Sequence, residues 1–226
     1  MPGRPVTQLP AAPPRARGVA WREARFAALD FETTGLDMRS DTIVSYGAVP
    51  VDGGRILMRG AVHQLIEPHV PPSPRSQTIH ELRPQDLAGS PRIDEARASL
   101  RVALEGRFLL VWFADVELNF LSAIFGGSRS AWRRRTIDVR NLAIEADGAS
   151  RSLRKQPGYG LSWAAERLGV PVASPHDALD DALVTAQAFL VLTGRLPMHP
   201  DPSVRDLLWV AGDRGRRVEQ RFKLRV

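Results

Sequence analysis

The stretch Phe26-Ala-Ala-Leu-Asp30-Phe-Glu32-Thr-Thr-Gly35 sets two acids within an apolar run. Successive side chains of a strand alternate between its faces, so Asp30 and Glu32 point the same way, about 7 Å apart. Phe26 and Ala28 share their face, and the opposite face is also apolar, which predicts a strand buried on both sides. Buried carboxylates are costly unless they are paired or bind a cation. The pattern therefore favours a cation site over a solvated strand face.

Apolar runs on either side of this strand predict an α/β fold. We expect strands at Phe26–Glu32, Thr42–Val51 and Arg55–Ile66, with a hairpin at Gly53-Gly54, which together form an antiparallel meander. A further run, Phe108–Phe113, is apolar on both faces, as in a central strand. Apolar spacing and capping residues predict helices at Ile93–Glu105, Val116–Phe125, Asp138–Ala146, Leu161–Leu168 and Asp177–Thr193, with a short amphipathic stretch at Val204–Val210.

A second acidic segment, His176-Asp-Ala-Leu-Asp-Asp181, opens the helix predicted at Asp177–Thr193. Asp177 and Asp181 would share a helix face, where like charges repel. The helix dipole explains an acid in the first turn, such as Asp177, but explains Asp181 poorly because it lies about a turn further in. His176 could serve as a proton acceptor near neutral pH, although by itself it is better explained as a surface histidine.

Composition limits the classes of protein and of metal site. Of 226 residues, 43% are hydrophobic and 25% charged, which is typical of a globular protein, and the absence of cysteine excludes disulfides and thiolate sites. We expect a disordered Pro/Arg-rich tail over residues 1–20, one domain over 21–196 and a basic extension over 197–226. With no long apolar run and no secretion signal, the chain is predicted to be soluble and cytoplasmic, without a membrane partner.

Two motifs resemble those of the DEDDh family of 3'-5' exonucleases, which includes the epsilon proofreading subunit of bacterial replicative DNA polymerase. They are Asp30-Phe-Glu32-Thr-Thr-Gly35-Leu36 and His176-x-Ala178-x-x-Asp181. The resemblance extends over roughly residues 25–193. It implies a ribonuclease H-like fold, in which a mixed central sheet that begins with an antiparallel meander is flanked by helices.

The second motif of that family is altered in this chain. The usual pattern is His-Asn-x-x-Phe-Asp, whereas the matching stretch begins Trp112-Phe113-Ala-Asp115-Val-Glu117. The alignment puts Glu117 in the place of the metal-binding aspartate. Asp115 is a rival, but residues two apart on a helix point about 200° away from each other, so only one of them can face the metals. We favour Glu117.

The resemblance implies a metal-dependent enzyme that releases 5'-mononucleotides from the 3' end of single-stranded DNA or RNA. Two Mg²⁺ or Mn²⁺ ions would be held by carboxylates: Asp30 would bridge both ions, Glu32 and Asp181 would hold the ion on the nucleophile side, and Glu117 would assist at the other. His176 would accept the proton of the attacking water. Residues Thr33, Gly35 and Leu36 would contact the terminal nucleotide, with Leu36 as an apolar wedge.

Other features leave alternatives open. A basic group is a candidate for steering the nucleic acid, or else a solvated surface, and it comprises Arg129, Arg133, Arg134, Arg135, Arg151, Arg154 and Lys155. Trp132 could stack a base or simply pack. The altered second motif allows a catalytically weakened module that only binds nucleic acid or a polymerase, and the extension over 197–226 could dock on a polymerase or another protein.

Overall fold

The core of the protein is a single mixed sheet of six strands. A computed structural model describes residues 9–37, 39–148, 159–196, 198 and 201–212. The strands are β1 Arg25–Thr33, β2 Ile43–Asp52, β3 Arg55–Ile56, β4 Val62–Leu65, β5 Phe108–Val111 and β6 Thr136–Asp138. Their order in the sheet is β3-β2-β1-β5-β6, with β4 also paired to β2.

Strand β1 is central and is covered on both faces, as its apolar sequence predicts. It runs antiparallel to β2 and parallel to β5. Phe26 and Ala28 face a core that includes the last long helix, whereas Ala27, Leu29 and Phe31 belong to a second apolar cluster on the other side. The α/β class and the mixed sheet that begins with an antiparallel meander are confirmed.

Nine helices flank the sheet in the described part of the chain. They are α1 Pro74–His80, α2 Pro84–Leu87, α3 Ile93–Leu104, α4 Ala114–Phe125, α5 Arg129–Arg133, α6 Val139–Ala146, α7 Leu161–Leu168, α8 Ala178–Thr193 and α9 Val204–Ala211. The sequence did not predict α1, α2 or α5, and α4 begins two residues earlier than expected. Of these helices, none combines the length and the apolar character that crossing a bilayer requires.

The prediction of one continuous strand over Arg55–Ile66 was wrong, because the structure divides this stretch into β3 and β4. Pro50 of β2 has no backbone N–H for the ladder, and its carbonyl accepts instead from Leu57 N at 2.9 Å. A 3-10 turn at Met58–Gly60 follows, with Gly60 packed against the Pro50 ring. Pairing with β2 then resumes at Val62.

Both ends of the described chain lie against the domain, in contrast to the tails expected from their composition. Arg135 is buried and donates to the carbonyls of Pro10 and Ala11, both at 3.2 Å. Near the other end, helix α9 buries Val204 and Leu207 in the main core. Composition cannot reveal such long-range contacts. The parts of the expected tails over residues 1–8 and 213–226 lie outside the described residues.

Candidate active site

A glycine brings helix α8 against the sheet at the first acidic motif. Asp30 of β1 pairs in register with Gly47 of β2, so the two residues point to the same face of the sheet. A Cβ on Gly47 would lie only 2.1 Å from the Ala178 carbonyl oxygen at the start of α8. Only glycine permits this approach, which sets the acidic start of α8 over Asp30.

The two acidic motifs converge at this point. One ligand atom each of Glu32, His176 and Asp181 lies within 4.8 Å of the others, so the three could share a metal ion. The Glu32 and Asp181 side chains are both largely buried, whereas His176 is exposed. The structure thus brings together residues almost 150 positions apart in the sequence.

Burial and mutual repulsion make the carboxylates of the site poor acids in the absence of a cation. Burial is the largest cause in each case. It acts with Asp181 and Asp177 to raise the pKa of Asp30 well above its usual value, and with Asp30 and Asp181 to raise the pKa of Glu32 to about 9. Burial likewise raises the pKa of Asp181 to about 6, although His176 opposes this shift. Such a cluster favours either protons or metal cations.

Helix α4 supplies a further acid, and the two rivals there have opposite environments. Glu117 is 4% exposed, and its Oε2 atom has no hydrogen-bond partner within the described residues. Burial, followed by the charge of Asp30, raises the pKa of Glu117 well above its usual value. Asp115 is exposed and accepts from Arg129 at 2.7 Å and Arg133 at 2.6 Å. Glu117 therefore faces the cluster, and Asp115 faces solvent.

The loop that carries His176 is fastened to the first turn of α8. The Asp181 Oδ2 atom accepts from the His176 backbone N–H at 3.2 Å. Asp180 Oδ2 accepts from the N–H groups of Ala173 and Ser174 at 3.1 and 2.8 Å. His176 itself has a φ of 64°, the left-handed region that non-glycine residues seldom adopt. Asp177 is the N-cap of α8, which agrees with the role that the helix dipole suggested.

Next to the acidic cluster lies a cavity of about 430 Å³ that includes the residues expected to contact a terminal nucleotide. Thr33 is buried, and Leu36 projects with 72% of its surface exposed. The loop between them is closed by Asp41, which accepts from Thr34 Oγ1 at 2.8 Å. Sequence reasoning did not assign three further lining residues, Arg75, Ile79 and His80. None of the three belongs to the motifs quoted from the sequence.

The basic group contributes less free charge than its sequence suggests. Arg129 and Arg133 are paired with Asp115, and Arg135 is buried against backbone carbonyls, whereas Arg134 is exposed. Arg151, Arg154 and Lys155 lie outside the described residues. Trp132 is buried and donates from Nε1 to the Gly126 carbonyl at 3.0 Å, so it packs in the core and does not form a base platform.

The donor set fits a hard divalent cation. Carboxylate oxygens and an imidazole are the available ligands, and oxygen-rich sites suit Mg²⁺ and Mn²⁺. The unpartnered Glu117 Oε2 and the raised pKa values of Asp30 and Glu32 both indicate carboxylates whose ionised forms no described protein group stabilises. Exonucleases of the family that this site resembles typically depend on divalent metal ions.

Comparisons with known proteins agree with the geometry. The chain is 36% identical over 172 residues to the PolC-type DNA polymerase III of Thermotoga maritima, covering 74% of this chain and 12% of that protein. The 3'-5' exonuclease DinG of Staphylococcus aureus is 22% identical over 192 residues, covering 83% of this chain and 20% of that protein. The chain thus spans a fifth or less of the length of these relatives.

Solved structures share the fold at low identity. Escherichia coli Exonuclease I in complex with a dT13 oligonucleotide has a TM-score of 0.63 and 16% identity, covering 76% of this chain and 41% of that one. Exonuclease X in complex with 5' overhanging duplex DNA has a TM-score of 0.58 and 20% identity, covering 83% and 99%. The ribonuclease H-like fold is therefore confirmed. Because the RNase_T family model, described as Exonuclease, matches residues 27–189, more than half of the chain, the protein belongs to the exonuclease family.

Proposed function

We propose that the protein is a metal-dependent 3'-5' exonuclease that releases 5'-mononucleotides from the 3' end of single-stranded DNA or RNA. The observation that carries this proposal is the convergence of Glu32, His176 and Asp181 within 4.8 Å, beside the buried carboxylates of Asp30 and Glu117. Membership of the exonuclease family supports the hydrolytic chemistry. Named relatives with 3'-5' activity support the direction.

Four carboxylates, those of Asp30, Glu32, Glu117 and Asp181, would hold two Mg²⁺ or Mn²⁺ ions. When bound, these cations supply positive charge for the scissile phosphate and lower the pKa of the attacking water. His176 accepts the proton of that water at an imidazole nitrogen, for which its exposed position beside Glu32 and Asp181 is suited. The water oxygen bonds to phosphorus as the bond between phosphorus and the 3' oxygen of the preceding nucleotide breaks. That oxygen takes up a proton, which yields a nucleoside 5'-monophosphate and a new 3' hydroxyl group.

The cavity beside the cluster would accept the terminal nucleotide. Thr33 and Gly35 line it at the end of β1, and the exposed Leu36 is placed to wedge against a base. Arg75 lines the same cavity and offers positive charge to a phosphate. This arrangement favours a frayed or single-stranded end, because a base held in a duplex could not enter beside Leu36.

A 5'-labelled oligonucleotide tests both the activity and its direction. With Mg²⁺ or Mn²⁺, removal of nucleotides from the 3' end gives a ladder of shortened labelled products, whereas attack from the 5' end releases labelled mononucleotide at once. Matched DNA and RNA strands run side by side would rank the two substrates. Absence of any shortened product with either metal would refute the proposal and leave a module that only binds.

Matched variants test the assignment of residues. We expect Asp30→Asn and Glu117→Gln to lower the cleavage rate by at least about 10²-fold, because each removes a carboxylate that would hold the cations at the scissile phosphate. Asp115→Asn, two residues away on the same helix, should retain the rate within a few fold because Asp115 faces solvent. The reverse order, with Asp115→Asn inactive and Glu117→Gln active, would overturn the assignment of Glu117.

We also propose a supporting role beside a DNA polymerase, like that of the epsilon subunit, for which the 36% identity to the PolC-type polymerase is the supporting observation. The expected docking element is the basic C-terminal extension. Because α9 is packed in the core, truncation should follow Gly212 and not Leu196. If the truncated chain no longer binds a polymerase in a pull-down but cleaves at the unchanged rate, the extension is a docking tail. If the truncated chain still binds the polymerase, this role of the extension is refuted.

A further inference from the structure

An exposed aromatic pair lies beside the altered second motif. Phe113 is 39% exposed and Trp163 is 47% exposed, both large for aromatic rings of a folded domain. Two buried rings support Trp163: Trp112 stacks on Tyr159 with centroids 6.5 Å apart, and Tyr159 meets Trp163 edge to face at 4.8 Å. Trp163 is therefore mounted on a packed aromatic cluster.

Each exposed ring is accompanied by a guanidinium group. Arg140 lies 5.0 Å from the centroid of Phe113, and Arg167 lies 4.9 Å from the centroid of Trp163. Arg140 is anchored by donation from its Nε to the Tyr159 carbonyl oxygen at 3.1 Å. Arg167 also pairs with Asp147 Oδ2 at 3.4 Å, yet more than half of its side chain is exposed. Its guanidinium can therefore donate to a phosphate beside the Trp163 ring.

Phe113 lies next to the active site, and contacts through Arg140 and Tyr159 link it to Trp163. Phe113 is the N-cap of α4, and it precedes Glu117 by one helical turn, about 5.4 Å along the axis. The Ala114 N–H donates to Asp138 Oδ2 at 3.1 Å, which fixes this end of the helix. A strand whose terminal phosphate lay at Glu117 would have its preceding nucleotides within reach of Phe113.

We propose that Phe113 and Trp163 form a stacking platform for bases that precede the 3'-terminal nucleotide of a single strand, with Arg167 placed to face its phosphates. Aromatic rings stack on any base, so the platform would hold a strand without reading its sequence. It also gives a role to the replacement of the usual His-Asn pair by Trp112-Phe113. This inference rests on the proposed exonuclease function.

A long and a short substrate distinguish an effect on the platform from an effect on the catalytic centre. We expect Trp163→Ala and Phe113→Ala each to raise the KM for a twelve-nucleotide strand roughly tenfold. Cleavage of the p-nitrophenyl ester of thymidine 5'-monophosphate, which fills only the terminal site, should be unchanged and shows that the variants fold. Trp163→Phe should retain most of the wild-type KM. Leu57→Ala, another exposed apolar residue, is the control and should leave both substrates unaffected.

Binding without metal gives a second readout. In EDTA, fluorescence anisotropy of labelled dT12 should show roughly tenfold weaker binding by Trp163→Ala than by wild type. Wild-type affinity in both alanine variants, or equal losses on the long strand and the small ester, would overturn the platform. If the wild type cleaves neither substrate, the proposed function fails instead, so the two failures are distinguishable.

Discussion

Replacement of Gly47 by alanine should damage the active site from a position outside it. The new Cβ would lie 2.1 Å from the Ala178 carbonyl oxygen and 2.5 Å from the Leu179 Cα, whereas real Cβ atoms essentially never approach closer than 3.0 Å. Helix α8 must therefore retreat by about 0.9 Å, the difference between 3.0 and 2.1 Å. That helix carries Asp181 and fastens the loop of His176.

The expected loss follows from this displacement. A shift of about 1 Å in a catalytic group costs on the order of 10²-fold in rate, so kcat/KM of Gly47→Ala should fall by about that factor. Overpacking should also lower the free energy of unfolding by about 1 to 3 kcal/mol. Both quantities are measurable, one from the rate of shortening of a labelled strand and the other from urea unfolding.

A matched glycine serves as control. Gly194 ends the same helix with a right-handed φ of −86°, and a Cβ there would meet only an ordinary contact at 3.6 Å. We expect Gly194→Ala to retain the wild-type rate and stability. A fully active Gly47→Ala variant with an unchanged unfolding midpoint would refute the argument that this glycine sets the distance between α8 and Asp30.

Two further predictions concern protons and the N-terminal segment. Folding raises the pKa of Glu32 from 4.5 to about 9 and the pKa of Asp181 from 3.8 to about 6, so the folded protein holds protons that the unfolded chain has released. The free energy of unfolding without metal should therefore fall as pH rises from about 4 to 9. Mn²⁺ should raise the melting temperature more at pH 8 than at pH 6. An equal rise at both pH values would contradict this. Arg135→Met removes donors to the carbonyls of Pro10, Ala11 and Leu104, so it should lower the free energy of unfolding by about 2 kcal/mol and expose the segment to trypsin. Arg134→Met is the exposed control, and equal stability of the two variants would refute the docking of residues 9–16.

Local pattern was sufficient for the strand that organises the fold. Alternation in β1 predicts that Asp30 and Glu32 share a face, and their apolar neighbours predict burial on both sides. Helical geometry predicts that Glu117 and Asp115 point apart, and the alignment of the second motif favours Glu117; the structure finds the first buried and the second in ion pairs at the surface. In each case the deciding information lies within a few residues of the chain.

Contacts between distant segments were not predictable in this way. The closeness of Gly47 to Ala178 depends on where α8 packs, and nothing near Gly47 in the sequence indicates it. Proline-rich residues 9–16 have no local signal for order, since the donors to the Pro10 and Ala11 carbonyls come from Arg135 and the Gly106 N–H. Trp132 has basic neighbours in the sequence that suggest a binding surface, yet its ring completes a core.

The proposed function depends on the binding of divalent cations by the carboxylates of the active site. Anomalous diffraction from crystals soaked in Mn²⁺ tests it most directly. We expect two peaks per chain, both within coordination distance of carboxylates among Asp30, Glu32, Glu117 and Asp181, and their loss in Asp30→Asn. A site without peaks in the wild type, with the same carboxylates pointing apart, would contradict it.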